Sequence, residues 1–127
     1  CLKSPIDIAL DEDLIGPFDK KMKQQILQEV KPHYIVLKPS LHGGFQGAED
    51  WIEIADRMHV AWWVTSALES NIGLNGIAHW VNKFDNLLPQ GLGTGSLYSN
   101  NIDSPLFVSN GQLCYSKEDQ WDLTLFK

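Results

Sequence analysis

Four short apolar runs punctuate the chain: Ile6-Asp7-Ile8-Ala9-Leu10, Tyr34-Ile35-Val36-Leu37, Val60-Ala61-Trp62-Trp63-Val64 and a weaker one at Leu87-Leu88. They begin at positions 6, 34, 60 and 87, roughly 27 residues apart, which is the pace of a strand followed by a crossover helix. The stretches between them carry apolar residues at helical spacing: Met22, Ile26, Leu27 and Val30, then Trp51, Ile52, Ala55 and Met58, then Leu74, Ile77, Ala78, Val81 and Phe84. Pro32 follows the first stripe, and Ser70 or Asn71 is placed to cap the third helix. The second and third runs are apolar on both faces, as parallel strands covered by helices must be. The pattern predicts a parallel α/β fold. After Pro105 it changes: Leu106-Phe107-Val108 and Gln112-Leu113-Cys114-Tyr115 flank an Asn110-Gly111 hairpin signal, and Trp121 to Phe126 alternates as a last extended piece.

Composition narrows the function classes. At 127 residues, 43% apolar and 20% charged, the chain is one domain at most and able to bury a core, so disordered and fibrous classes drop out. A net charge of −6 without a Lys/Arg cluster argues against a nucleic-acid partner, because phosphate binding needs a basic face. No apolar run approaches the roughly 20 residues of a membrane-spanning helix, and no basic leader opens the chain. Cys1 and Cys114 form no disulfide framework and no CxxC is present, so a reducing, cytoplasmic setting is expected. The chain begins at Cys1, in mid-phrase, and is expected to be a piece of something longer.

The candidate chemistry lies where the strands end. In a parallel sheet every C-terminal strand end opens on the same rim, so residues just past the runs converge in space. The first run stops at Asp11-Glu12-Asp13 and the second at Lys38. The third stops at Ser66, followed by Glu69 and Ser70, and the fourth opens into Gly91-Leu92-Gly93-Thr94-Gly95. Alternation puts Lys38 on the face of Val36 and Tyr34, and Asp11 on that of Ala9; with both facing inward, a cation and a carboxylate look at each other. A carboxylate among other oxygens suits Mg²⁺, and a lysine among apolar strand residues, its pKa lowered by desolvation, suits an acid, a base or a partner for a developing anion. Together they point to proton abstraction next to a carboxylate. For any single strand-end charge, simple exit into solvent is an equally good account.

The segments Ala9-Leu10-Asp11-Glu12, Val36-Leu37-Lys38-Pro39-Ser40 with Gly43-Gly44, Thr65-Ser66-Ala67-Leu68-Glu69-Ser70-Asn71-Ile72-Gly73-Leu74, and Pro89-Gln90-Gly91-Leu92-Gly93-Thr94-Gly95 stand in order from Ser4 to Phe126. In these segments the chain resembles the C-terminal half of the o-succinylbenzoate synthases, in the muconate-lactonizing-like branch of the enolase superfamily. The resemblance implies half of a (β/α)8 barrel, strands five to eight with their helices, over residues 1–104. Residues 105–127 would form an antiparallel hairpin and tail returning to the capping region. It implies Asp11 as a Mg²⁺ ligand with Glu12 in support, Lys38 as the catalytic lysine beside an enediolate, and Ser66, Glu69, Ser70, Gly93 and Thr94 at the substrate. The glycine at 93 departs from relatives that are often acidic there. The implied reaction is dehydration of 2-succinyl-6-hydroxy-2,4-cyclohexadiene-1-carboxylate to o-succinylbenzoate, towards menaquinone.

The family's second-strand Lys-x-Lys, third-strand Asp and fourth-strand Glu have no counterpart here, so the chain alone is expected to be inactive and to need its missing N-terminal half. A half barrel's open strand edges invite self-association. N-acylamino acid racemase is the close alternative activity; a non-catalytic α/β binding module is the alternative of another class. Minor features weigh less. His33, His42, His59 and His79 lack metal-site spacing. Gly91-x-Gly93-x-Gly95 fits a tight turn better than a nucleotide loop, and Trp62-Trp63 fits core packing better than a stacking platform. His42-Gly43-Gly44-Phe45 is read equally well as an anion cradle or a flexible loop.

Overall fold

Residues 4–126 are described by a computed structural model; Cys1 lies outside them. The chain divides into two compact units, residues 1–67 with 86–90, and residues 68–85 with 91–127.

The first unit is a parallel βαβαβ segment. Strands β1 (Ala9–Leu10), β2 (Tyr34–Leu37) and β3 (Ala61–Val64) lie in that order, with Ala9 opposite Tyr34 and Leu37 opposite Val64. Helices α1 (Lys20–Val30) and α2 (Gly44–Arg57) make the crossovers. The Asp19 side chain caps α1 by accepting from the Met22 N–H at 2.9 Å, and Lys31, left-handed at φ 50°, closes it before Pro32. Helix α2 starts after Gly43 and Gly44, both at positive φ, and buries Ala48, Trp51, Ile52 and Ala55, the i, i+3, i+4, i+7 row. In β2, Ile35, Val36 and Leu37 are all buried, as expected for a strand covered on both faces.

Three details of the first unit depart from the sequence pattern. First, β1 pairs over only two residues. The His33 imidazole Nδ1 accepts from the Ile8 N–H at 2.9 Å, so a side chain takes the place of a strand bond, and Ile6 is exposed. Second, α1 buries Lys23 and Leu27, while Met22 is exposed. Third, Leu87-Leu88 forms no strand, and Leu87 is 96% exposed. Two amide side chains beside it meet β3 instead: Asn86 Nδ2 donates to the Trp62 carbonyl at 2.7 Å, and Gln90 Oε1 accepts from the Val64 N–H at 2.7 Å. With these bonds made by side chains, the backbone of 87–88 has no strand partner to follow.

The second unit holds α3 (Asn71–Val81), which buries Leu74, Ile77, Trp80 and Val81, and the antiparallel hairpin of β4 (Leu106–Ser109) and β5 (Gln112–Tyr115). Asn110 (φ 50°) and Gly111 (φ 76°) make the two-residue turn that their pairing predicts. The expected extended piece from Trp121 ends instead in a 3₁₀ turn, Thr124–Phe126, whose first N–H is taken up by Asp122 Oδ1 at 3.0 Å. Among the described residues no helix is long and apolar enough to cross a membrane.

Candidate active site at the strand ends

Asp11 follows β1 directly, Lys38 follows β2, and Ser66 lies two residues beyond β3, so the three stand at the C-terminal ends of adjacent parallel strands. Lys38 Nζ lies 2.5 Å from Asp11 Oδ1 and 3.6 Å from Glu12 Oε1. Its side chain is only 13% exposed, against 43% for Asp11 and 81% for Glu12, so the ammonium sits inside the rim and the carboxylates reach it from the mouth. Ser66 is buried. The hydrogen bond that the Lys38 ammonium donates to Asp11 raises the Lys38 pKa, outweighing the lowering that burial brings. That corrects the sequence-based expectation of a lowered value. Desolvation acts in the expected direction, but a carboxylate within hydrogen-bond reach favours the charged form more strongly. In this chain Lys38 is therefore a cation at neutral pH, suited to face growing negative charge or to give a proton.

Behind the rim, His42 supports the lysine. Its Nδ1 accepts from the backbone N–H of Lys38 at 3.2 Å, and it closes the tight turn Pro39–Leu41 that follows β2. Buried, with Lys23 and Lys38 nearby, it has its pKa pushed down to about 4, so the imidazole is neutral. Its Nε2 is buried without a hydrogen-bond partner. Lys23 is buried as well, with Nζ donating to the Gly47 carbonyl at 2.8 Å, 3.8 Å from Asp50 Oδ2 and 5.5 Å above the Trp51 ring. Sequence reasoning missed both roles. Helical spacing does place Lys23 in one row with Ile26, Leu27 and Val30, but a lysine in an apolar row is passed over for the methionine beside it.

The sign of the His42 shift makes a prediction. The unfolded imidazole takes a proton near pH 6.5 and the folded one only near 4, so stability is complete above pH 6.5 and falls as pH drops through that window. A gap of that size is worth about 3 kcal/mol by pH 4. Urea unfolding at pH 7.5 and 4.5 should show this loss in the parent chain and most of it gone in His42→Gln; equal pH dependence of the two would refute the assignment.

The other candidate residues lie in the second unit. Glu69 and Ser70 form the approach to α3, and Gly73 allows Glu69 its place, since a Cβ there would come within 2.9 Å of the Glu69 Cβ. Gly93 and Thr94 lie in the loop before the hairpin, where a Cβ at 93 would make only ordinary contact with Val108. Trp62 is buried and donates to Asp56 Oδ1 at 3.0 Å, which fits the core-packing reading.

Mg²⁺ can be tested against these donors. Asp11 and Glu12 offer the hard oxygen ligands the ion takes, but both are drawn to Lys38, and the described residues hold no group of three or more His, Cys, Asp or Glu side chains able to bind a metal. The described residues therefore do not by themselves make a Mg²⁺ site.

The parallel α/β arrangement is the fold shared with muconate lactonizing enzyme from Pseudomonas putida (TM-score 0.76, 19% identity, 88% of this chain and 31% of that one). It is also shared with L-Ala-D/L-Glu epimerase from Bacillus subtilis (TM-score 0.74, 20% identity, 89% and 31%). Within that class, the chain is similar to o-succinylbenzoate synthase from Desulfotalea psychrophila, 50% identical over 113 residues. The match covers 89% of this chain and 30% of that protein; the crystal structure of MenC from the same organism superposes with a TM-score of 0.84. The resemblance read from the sequence is thus borne out, and the chain spans about a third of the length of the relatives it matches. No protein-family model matches.

Proposed function

We propose that this chain is the C-terminal part of an o-succinylbenzoate synthase, contributing strands five to eight of a (β/α)8 barrel from residues 1–104 and a return to the capping region from 105–127. The longer protein would dehydrate 2-succinyl-6-hydroxy-2,4-cyclohexadiene-1-carboxylate. The observation that carries this reading is the Lys38 ammonium held against the Asp11 carboxylate at the ends of neighbouring parallel strands; the 50% identity to a synthase supports it.

In this reading Lys38, fixed by Asp11 and by the His42 bond to its backbone, presents its charge to the enediolate that forms when the proton next to the ring carboxylate is lost. A preorganised cation at that point lowers the barrier without reorganising solvent. Asp11, with Glu12 beside it, would be one of the Mg²⁺ ligands once the rest of the polypeptide adds its own. When bound, the ion would supply electrostatic stabilisation of the substrate carboxylate. Ser66, Glu69, Ser70, Gly93 and Thr94 contact the substrate. The remainder of the polypeptide is the partner this reading requires, and without it chains associate through the outer edge of β1.

Assay of the purified 127-residue chain and of a longer protein containing it tests the proposal. The longer protein should dehydrate the substrate and lose activity with a chelator, and the chain alone should give no turnover. Dehydration by the chain alone, or exchange of the alpha hydrogen of an N-succinylamino acid without dehydration by the longer protein, would reject it.

A further inference from the structure

In the second unit, Ser70 stands at the N-cap of α3 yet its side chain makes no capping bond. The cap comes from 30 residues further on: Asn101 Oδ1 accepts from the Asn71 N–H at 2.9 Å and from the Ile102 N–H at 2.9 Å. The other end of the same amide donates from Nδ2 to the Gly95 carbonyl at 2.9 Å. Asn71 answers in kind, its Nδ2 donating to the Ile102 carbonyl at 2.6 Å. Gly95 is packed so close that a Cβ there would lie 2.6 Å from Asn71 Oδ1. Two asparagines therefore tie three segments together: the start of α3 just after Glu69 and Ser70, the loop carrying Gly93 and Thr94, and the approach to β4. Asn71, Gly93, Gly95, Asn101, Leu106 and Val108 are among the residues lining a hollow of about 510 Å³.

A helix cap alone needs only the Asn101 acceptor. The bond to Gly95 and the reciprocal Asn71 bond do nothing for the helix, and both act on the loops. We propose that the Asn71–Asn101 amide clasp is a positioning device that holds the 93–95 loop in the one conformation in which it meets the substrate. The inference rests on the proposed role of Gly93 and Thr94. Neither asparagine is a catalytic residue; both act through the backbone they hold.

Asn101→Asp separates the two roles, because a carboxylate keeps the acceptor for Asn71 and Ile102 but has no hydrogen to give Gly95. In the 127-residue chain, followed by NMR amide exchange, the Asn71 and Ile102 amides should exchange as in the parent. The Leu97 amide, bonded to the Thr94 carbonyl in the same loop, should exchange about tenfold faster, the worth of roughly one hydrogen bond. In the longer protein, Asn101→Asp and the uncharged Asn71→Ala should both raise KM about tenfold and change kcat by less than about threefold, since a misplaced loop loses binding common to ground and transition states. An unchanged Leu97 rate in Asn101→Asp would overturn the clasp and leave a plain helix cap. Faster exchange with KM unmoved in both variants would overturn its link to substrate. A longer protein that turns over no substrate removes the function proposed above, and the exchange rates alone then decide the clasp.

Discussion

Lys38→Ala in the longer protein lowers kcat by about two to three orders of magnitude, the cost of deleting one preorganised group from the place where charge develops. Stability changes little, because the lost ion pair lies at the rim with Asp11 still 43% exposed and open to water. The two effects separate cleanly in one experiment: steady-state turnover beside urea unfolding of the same preparation. Lys38→Arg does not rescue, since the planar guanidinium carries its charge further out and cannot reproduce a point ammonium 2.5 Å from Asp11. Turnover of Lys38→Ala within tenfold of the parent would remove the lysine from the mechanism, whatever the fold around it.

The largest effect on folding is expected far from any charge. Gly47→Ala places a Cβ 1.8 Å from the His42 carbonyl oxygen and 2.8 Å from its carbon, backbone against backbone, with no flexible side chain to give way. The first turns of α2 must then move off the turn that ends in His42, and the Gly47 carbonyl moves from the buried Lys23 ammonium it accepts at 2.8 Å. Overpacking of this kind costs about 3 kcal/mol, and a buried cation left without its acceptor adds to it. For a segment of marginal stability that is enough to unfold it. Circular dichroism under denaturant should show the Gly47→Ala midpoint far below that of Gly44→Ala, where a Cβ meets nothing within 4 Å and only the positive φ of 75° is strained. Equal midpoints would mean that the α2 start has room that the structure does not show.

These two sites differ in how far they could be read in advance. Lys38 is visible because strand alternation and the end of an apolar run place it on a rim, and the run of Asp11-Glu12 does the same one strand away. Gly47 is not visible. Nothing in Gly44-Phe45-Gln46-Gly47 marks which glycine touches a carbonyl, because the contact depends on how a turn of one segment folds back onto the next helix. The direction of the Lys38 pKa shift is not legible for a related reason: burial can be guessed from neighbours in the chain, whereas the carboxylate that outweighs it comes from another strand.

The sequence by itself determined the first three parallel strands and the three helices through their periods, and the hairpin through the Asn110-Gly111 turn pair, because periodicity and turn chemistry both report backbone geometry that is settled locally. Its periods also put Asp11 and Lys38 at strand ends. Only the tertiary structure decided that Lys23, not Met22, is buried, and that side-chain amides from Asn86 and Gln90 meet β3 where a fourth strand was expected. It alone decided that Asn101 caps a helix that Ser70 precedes. Each of these is a choice between hydrogen-bond partners distant in sequence, and such choices are made by packing and by the satisfaction of buried polar groups, which leave no periodic trace in the chain.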